Sequence, residues 1–288
     1  MDEAIGQYRQ MQSLIKDGKI HSREMISLII ESYQASVGFL RHRGRVELKS
    51  MVSGKKYFTF SGVRKVSRPI NVALYMDDPG DVAKRFLASV DAPTLFTGLE
   101  LNQAIYTIAI SFCAGIDLVK TGDRKTPGTY FEYMVGSIIS QILGVSPRKR
   151  VKVIELEDID TDLPTDYIFD LGLHRPKFHV PAKTSTRERA IQMWAHQRVL
   201  DGVHGVGRFY GTPIILTETK LDTKKLEVTE ICLPEQWRLY QLHIAQLSKV
   251  YYLDPPTSYL GLNNVTPPIK VGLFGEFFTD YSEFLSDV

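Results

Sequence analysis

The sequence predicts an α/β fold: a mixed central sheet flanked by helices, preceded by a basic N-terminal region of helices and strands. Three observations lead there. The second half of the chain reads as three strands, a helix, two strands and a helix, an order that builds a mixed sheet with helices against it. Residues 2–38 carry apolar positions at helical spacing. After them comes a run in which cations alternate with aromatic residues.

Taken in order, residues 2–38 predict two helices, the second marked by Ile26, Leu28, Ile29 and Ile30. Residues 45–51, 57–63 and 70–75 are short β-prone runs separated by the turn signals Ser53-Gly54 and Ser61-Gly62. Residues 81–90 read as a short helix and 101–120 as a strongly apolar, buried one. Pro127 opens a helix over 128–143 that Gly144 closes, with proline just inside and glycine just past the helix. Strands follow at 151–156, 167–171 and 177–183, then a helix over 186–200, strands at 208–217 and 226–232, and a helix over 235–248. Phe277, Phe278, Tyr281 and Phe284 alternate with acids in a final docked helix. Trp194 and Trp237 fall in helical patterns and read as core. The division expected is an N-terminal region over 1–95 and a core over 96–288.

Composition narrows the class. Hydrophobic residues make up 43% and charged residues 24% of the 288, as in ordinary globular proteins. No apolar run approaches a membrane span, and the start, Met1-Asp2-Glu3, is acidic rather than signal-like. Cys113 and Cys232 lie far apart in apolar contexts, so a reducing, cytoplasmic setting without structural zinc is expected. Gly202, Gly205 and Gly207 do not have the order of a dinucleotide-binding fingerprint. The net charge is only +2, but Arg41, Arg43, Arg45, Lys49, Lys55, Lys56, Arg64, Lys65 and Arg68 crowd one stretch against a single acid, Glu47. Clustered cations attract phosphates through counterion release; a solvated basic hairpin is the plainer alternative. Arg64, Lys65 and Arg68 are the candidates for backbone contact with nucleic acid.

Two neighbouring strands carry the chemistry. Leu163-Pro164-Thr165-Asp166 leads into the strand at 167–171, and the strand at 177–183 ends in Lys183 at the start of a helix. Metal-dependent hydrolysis of a phosphodiester needs carboxylates for the metal and a cation to orient water and offset charge on the phosphorane. Asp166 and Lys183 are the candidates. Asp166 can also be read as a turn residue, and Asp162 and Asp170 are its rivals.

The segment Lys183-x-x-x-Arg187-Glu188-Arg189 resembles the K-x-x-x-R-E-R segment of type II restriction endonucleases of the PD-(D/E)XK superfamily that read CCGG, CCNGG or CCWGG sites. The resemblance covers roughly residues 127–200. It implies a restriction-endonuclease-like fold and Mg²⁺-dependent cleavage of double-stranded DNA at a palindromic G·C-containing site. It also implies a homodimer, since two symmetric cuts need two symmetric sites. Lys183 would be catalytic, and Arg187, Glu188 and Arg189 would face DNA. The roles suit the side chains: Arg takes guanine O6 and N7 in two parallel hydrogen bonds, and a carboxylate accepts from cytosine N4. Ser185-x-x-Glu188 is equally a helix capping box.

The pattern departs from the family at one ligand. Pro181 stands where ordinary members have Glu. The carboxylate that the CCGG group takes from the following helix falls here on His196 and Gln197. Glu132, on the helix at 128–143, is the expected substitute, making Asp166 and Glu132 the metal ligands. Gln197 offers a neutral oxygen, and His196 a ligand or a base. Two alternatives remain: a DNA-binding module of this fold without catalysis, recognised by specific binding without cutting, and a nucleic-acid-binding structural protein, recognised by equal binding to any duplex or RNA.

Overall fold

The computed structural model describes the chain except Arg64, Glu157, Asp158, His174 and residues 287–288; the side chains of 154–156, 159–160, 188 and 286 also lie outside the description. Helices α1 (Asp2–Lys16) and α2 (Arg23–Leu40) open the chain, the second capped by Ser22, whose side chain accepts from the Met25 amide. Strands β1 (Gly44–Ser50), β2 (Tyr57–Ser61) and β3 (Ile70–Asn71) follow. Then come α3 (Pro79–Asp91), α4 (Gly98–Val119) and α5 (Lys125–Leu143). Thr97 and Glu100 form a reciprocal capping box on α4. Gly144 ends α5 at φ 68°, a left-handed conformation that costs glycine nothing.

The second half holds β4 (Arg148–Leu156), β5 (Ile159–Asp170), β6 (Lys177–His179), β7 (Ala182–Lys183) and α6 (Ile191–His204). It continues with β8 (Phe209–Gly211), β9 (Ile214–Thr217), β10 (Thr219–Asp222), β11 (Glu227–Glu230) and α7 (Pro234–His243). β12 (Val250–Asp254), α8 (Thr257–Leu260), β13 (Val271–Leu273) and α9 (Phe277–Ser286) complete it.

A curled mixed sheet lies at the centre. Its first part has the order β4-β5-β6-β8 and its second the order β13-β12-β9-β7. The parts join where Val180-Pro181 and Thr212-Pro213 carry the chain from one to the other: the Thr212 amide donates to the His179 carbonyl and the Ile214 amide to the Pro181 carbonyl, both at 2.8 Å. A separate sheet, β10-β11-β1-β2-β3, pairs the N-terminal hairpin with the C-terminal half, since β1 runs parallel to β11 through Lys49–Glu227 and Ser50–Val228.

Several local expectations change. β5 begins well before residue 167, so Asp166 lies inside a strand and not in a turn ahead of it. Pro164 misleads because proline is tolerated next to a bulge, and the β4–β5 register shifts there. The single strand expected over 177–183 is two, broken at Pro181, which has no N–H for a continuous ladder. The helix expected from residue 186 is a 3₁₀ turn, Arg187–Arg189, followed by α6. The expectation that no apolar run is long enough for a membrane also fails: α4 is long and apolar enough by composition. It is the central helix of the core, with Ile105, Ile108, Ala109, Phe112 and Ile116 all fully buried. That core runs from Ala4 on α1 to Phe278 on α9, across residue 95. Trp194 and Trp237 are buried against each other, ring centres 5.1 Å apart.

Candidate active site

Strand pairing shapes the site. Arg148 pairs with Ile168 and Arg150 with Pro164, so Lys149 alone faces the three residues Thr165, Asp166 and Tyr167. Such a bulge re-aims side chains. Across from it, β7 carries Lys183, and the Asp166 carboxylate joins the two: Oδ2 accepts from Lys183 Nζ at 2.6 Å and from the Ala182 amide at 2.9 Å. The pair opens into a pocket of about 270 Å³ whose lining includes Ser185, Thr186, Arg189 and His196.

Glu132 comes from α5. Burial pushes its carboxyl pKa up; the hydrogen bond from Lys149 opposes this, the charge of Asp166 adds to it, and the charge of Lys183 lowers it. The helix therefore carries Glu132 into the electrostatic reach of the Asp166–Lys183 pair. Lys149 Nζ lies 2.8 Å from Glu132 Oε1 and also sits over the Tyr167 ring, 5.2 Å from its centre. One turn along α5, Gly136 lets the helix close on β5. A Cβ there would lie 2.7 Å from Cε2 and Oη of Tyr167, and closer still to Cζ.

The neighbours His196 and Gln197 divide. His196 lines the pocket, and burial lowers its pKa against the pull of Asp166. Gln197 faces inward and is 1% exposed. Its Nε2 donates to Asp201 Oδ1 and to the Phe209 carbonyl, each at 2.9 Å, and its Oε1 lies 3.1 Å from Nδ1 of the buried His179. Gln197 is thus engaged in hydrogen bonds within the core while His196 faces the pocket, because consecutive helical residues point about 100° apart. Burial lowers the His179 pKa to about 4.

Two carboxylates, Asp166 and Glu132, remain as candidate metal ligands. Among the described residues no group of three His, Cys, Asp or Glu side chains stands together. Magnesium is commonly held by one or two carboxylates with waters and substrate phosphates. Asp166 Oδ1 and Glu132 Oε2 have no hydrogen-bond partner among the described residues, so this donor set suits that mode. Asp162 lies 3.9 Å from Arg150, and Asp170 pairs with Lys177 at 2.8 Å, so both rivals have partners of their own.

Arg187 and Arg189 are exposed on the 3₁₀ turn after Lys183; the Glu188 side chain lies outside the described residues. The Ser185 hydroxyl donates to Glu218 Oε2 at 2.6 Å and does not cap this turn. Much of the basic run is neutralised internally. Nε and Nη2 of Arg68 donate to Asp117, at 2.8 and 2.9 Å, so its guanidinium is held in an internal ion pair. Arg45 pairs with Asp77, Lys49 with Glu227, and Lys55 with Glu230 and Asp254. Lys65 reaches Thr121 Oγ1 at 3.0 Å, and Arg64 lies outside the described residues. Sequence reading missed Lys149 and Glu218. The basic triplet Arg148-Lys149-Arg150 was a visible signal for the first; nothing near Glu218 marked the second.

No protein-family model and no curated protein matches the sequence. Among solved structures, the crystal structure of the Type IIP restriction endonuclease Kpn2I superposes with a TM-score of 0.84 at 24% identity, over 100% of this chain and 99% of that one. The restriction endonuclease PspGI, in complex with substrate DNA, aligns with a TM-score of 0.44 at 10% identity over 73% of this chain and 93% of that one. The curled sheet that joins Asp166 to Lys183 thus belongs to a chain with the restriction-endonuclease fold, as in Kpn2I.

Proposed function

We propose that this protein is a type II restriction endonuclease that hydrolyses phosphodiester bonds of double-stranded DNA at a palindromic G·C-containing site, as a homodimer with Mg²⁺. The observation that carries the reading is the ion pair of Asp166 with Lys183 at 2.6 Å, at the mouth of a pocket with Glu132 in electrostatic reach. The full-length superposition on a Type IIP restriction endonuclease supports it. Bound magnesium would supply Lewis-acid polarisation of the phosphate and a more acidic water. Asp166 and Glu132 would hold it. Lys183, the ammonium on β7, orients the attacking water and offsets charge building on the phosphate. His196 shares the pocket, and its lowered pKa favours the neutral imidazole that a general base requires. Arg187 and Arg189 are exposed next to this site and, with Glu188, would read G·C pairs in the major groove. Lys65 and Arg64 would contact the backbone.

Digestion of a defined plasmid with magnesium, followed by sequencing of the ends, tests the reading. Unique ends at a palindrome containing G·C pairs are expected. Site-specific binding without any cutting would replace it with a DNA-binding module of the same fold, a reading favoured by His196 and Gln197 at the usual carboxylate position. Equal binding to random duplexes or to RNA would sink both.

A further inference from the structure

Glu218 stands one residue beyond β9 and is 1% exposed. Its carboxylate gathers donors from the segment that follows Lys183. Oε2 accepts from Ser185 Oγ at 2.6 Å and from the Arg187 amide at 3.4 Å. Oε1 accepts from the Thr186 amide at 2.8 Å and from the Thr186 hydroxyl. The Tyr252 hydroxyl on β12 adds a bond at 3.3 Å. Among the described residues no cation pairs with Glu218, so hydrogen bonds alone compensate its burial.

The segment held this way needs holding. Arg187 has φ 43°, in the left-handed region, which a non-glycine residue keeps only where its surroundings over-determine it. The 3₁₀ turn Arg187–Arg189 has no side-chain cap of its own. Thr186 is buried at 3% exposure, while Arg187 and Arg189 on either side of Glu188 are exposed. The anchor is inside the protein and the readers are outside it.

We infer that Glu218 is a positioning residue for base recognition, fixing Ser185–Arg187 relative to Lys183 so that Arg187 and Arg189 meet base edges in one register. This rests on the endonuclease reading above. Bidentate readout demands placement within about half an ångström, and a buried acid bonded to two successive amides supplies it. Packing alone would not require a carboxylate here: a buried charge is weak evidence for stability, and its best-attested use is to specify one geometry.

The test is Glu218→Gln in the full chain. Gln keeps the size and one acceptor but turns an NH₂ toward donors. Cleavage rates are measured on the cognate duplex and on each single-base-pair variant of it, with amide exchange followed across 186–189. The expected result is a loss of discrimination at G·C pairs of at least about tenfold, with faster exchange in the segment. Combined with Arg187→Ala, the losses should be less than multiplicative, because one residue acts through the other. Unchanged discrimination, or an equal slowing on every duplex, overturns the inference and leaves Glu218 a structural residue. If Glu218→Gln does not fold, Ser185→Ala removes one donor from the same clamp and is judged by the same ratios. A wild-type protein that cuts no duplex fails earlier, at the endonuclease reading, and is thereby distinguished from failure of this inference.

Discussion

Lys183 and Asp166 form an ion pair whose lysine is one-third exposed, so the contact is reachable from solvent. Lys183→Ala is expected to slow cleavage by at least about a hundredfold, the scale of losing one aimed charge stabiliser, while gel-shift affinity for the cognate duplex stays near wild type. Retention of near-normal cutting would remove Lys183 from the chemistry. His179, fully buried beneath the site, yields a prediction about pH. The unfolded imidazole protonates near 6.5 and the folded one near about 4, so below 6.5 the proton binds the unfolded chain preferentially. The stability present above pH 6.5 should therefore be lost as pH falls toward 4, by up to about 3 kcal/mol. Urea unfolding across that window would detect it, and His179→Gln should flatten the slope. Arg68 separates structure from DNA contact. With its guanidinium held by Asp117, Arg68→Ala should cost about 1–3 kcal/mol of stability and leave the salt dependence of DNA binding unchanged. A salt slope shallower by about one unit would restore Arg68 to the DNA interface.

At the scale of elements, the spacing between α5 and β5 sets the distance between the two candidate metal ligands. Glu132 and Gly136 lie four residues apart on one face of α5, and Gly136 rests on Tyr167, next to Asp166. Gly136→Ala would force the Tyr167 ring or the helix to move. Overpacking of this kind typically costs about 1–3 kcal/mol. The expected outcome is a lower melting temperature together with a higher magnesium concentration for half-maximal cleavage. A stability loss with unchanged magnesium dependence would show that the α5–β5 contact does not govern the ligand pair. The bulge on β5 belongs to the same scale. It puts Lys149 against Glu132 by letting one residue of β4 face three of β5.

Across the whole molecule, apolar packing and a largely buried polar cluster tie the N-terminal region to the rest. Lys55, at the turn between β1 and β2, donates to Glu230 at the end of β11 at 2.9 Å, to Asp254 on β12 at 2.8 Å and to the Pro255 carbonyl at 2.7 Å. Asn71 and Tyr57 complete the set around Asp254. Removing one partner of a buried ion pair costs about 3–5 kcal/mol because the other is stranded. Lys55→Ala should lower a single cooperative melting transition of the entire chain. Two separated transitions would mean that residues 1–95 fold as a unit of their own.

The sequence by itself determined the α/β class, most of the helices and the choice of Asp166 and Lys183 as a pair. These rest on signals a few residues long: apolar periodicity, Pro127 and Gly144 at the two ends of a helix, and a lysine at a strand end. Tertiary structure alone decided which charges have partners. Arg68 finds Asp117 from 49 residues away, Lys55 finds Asp254 from 199, and Ser185 finds Glu218 from 33. It also decided that His196 faces the pocket while Gln197 turns to the core, and that a bulge places Asp166 inside β5. The physical reason is that caps and periodicity act within a turn or a strand, whereas desolvation and ion pairing depend on which distant surfaces the fold brings into contact.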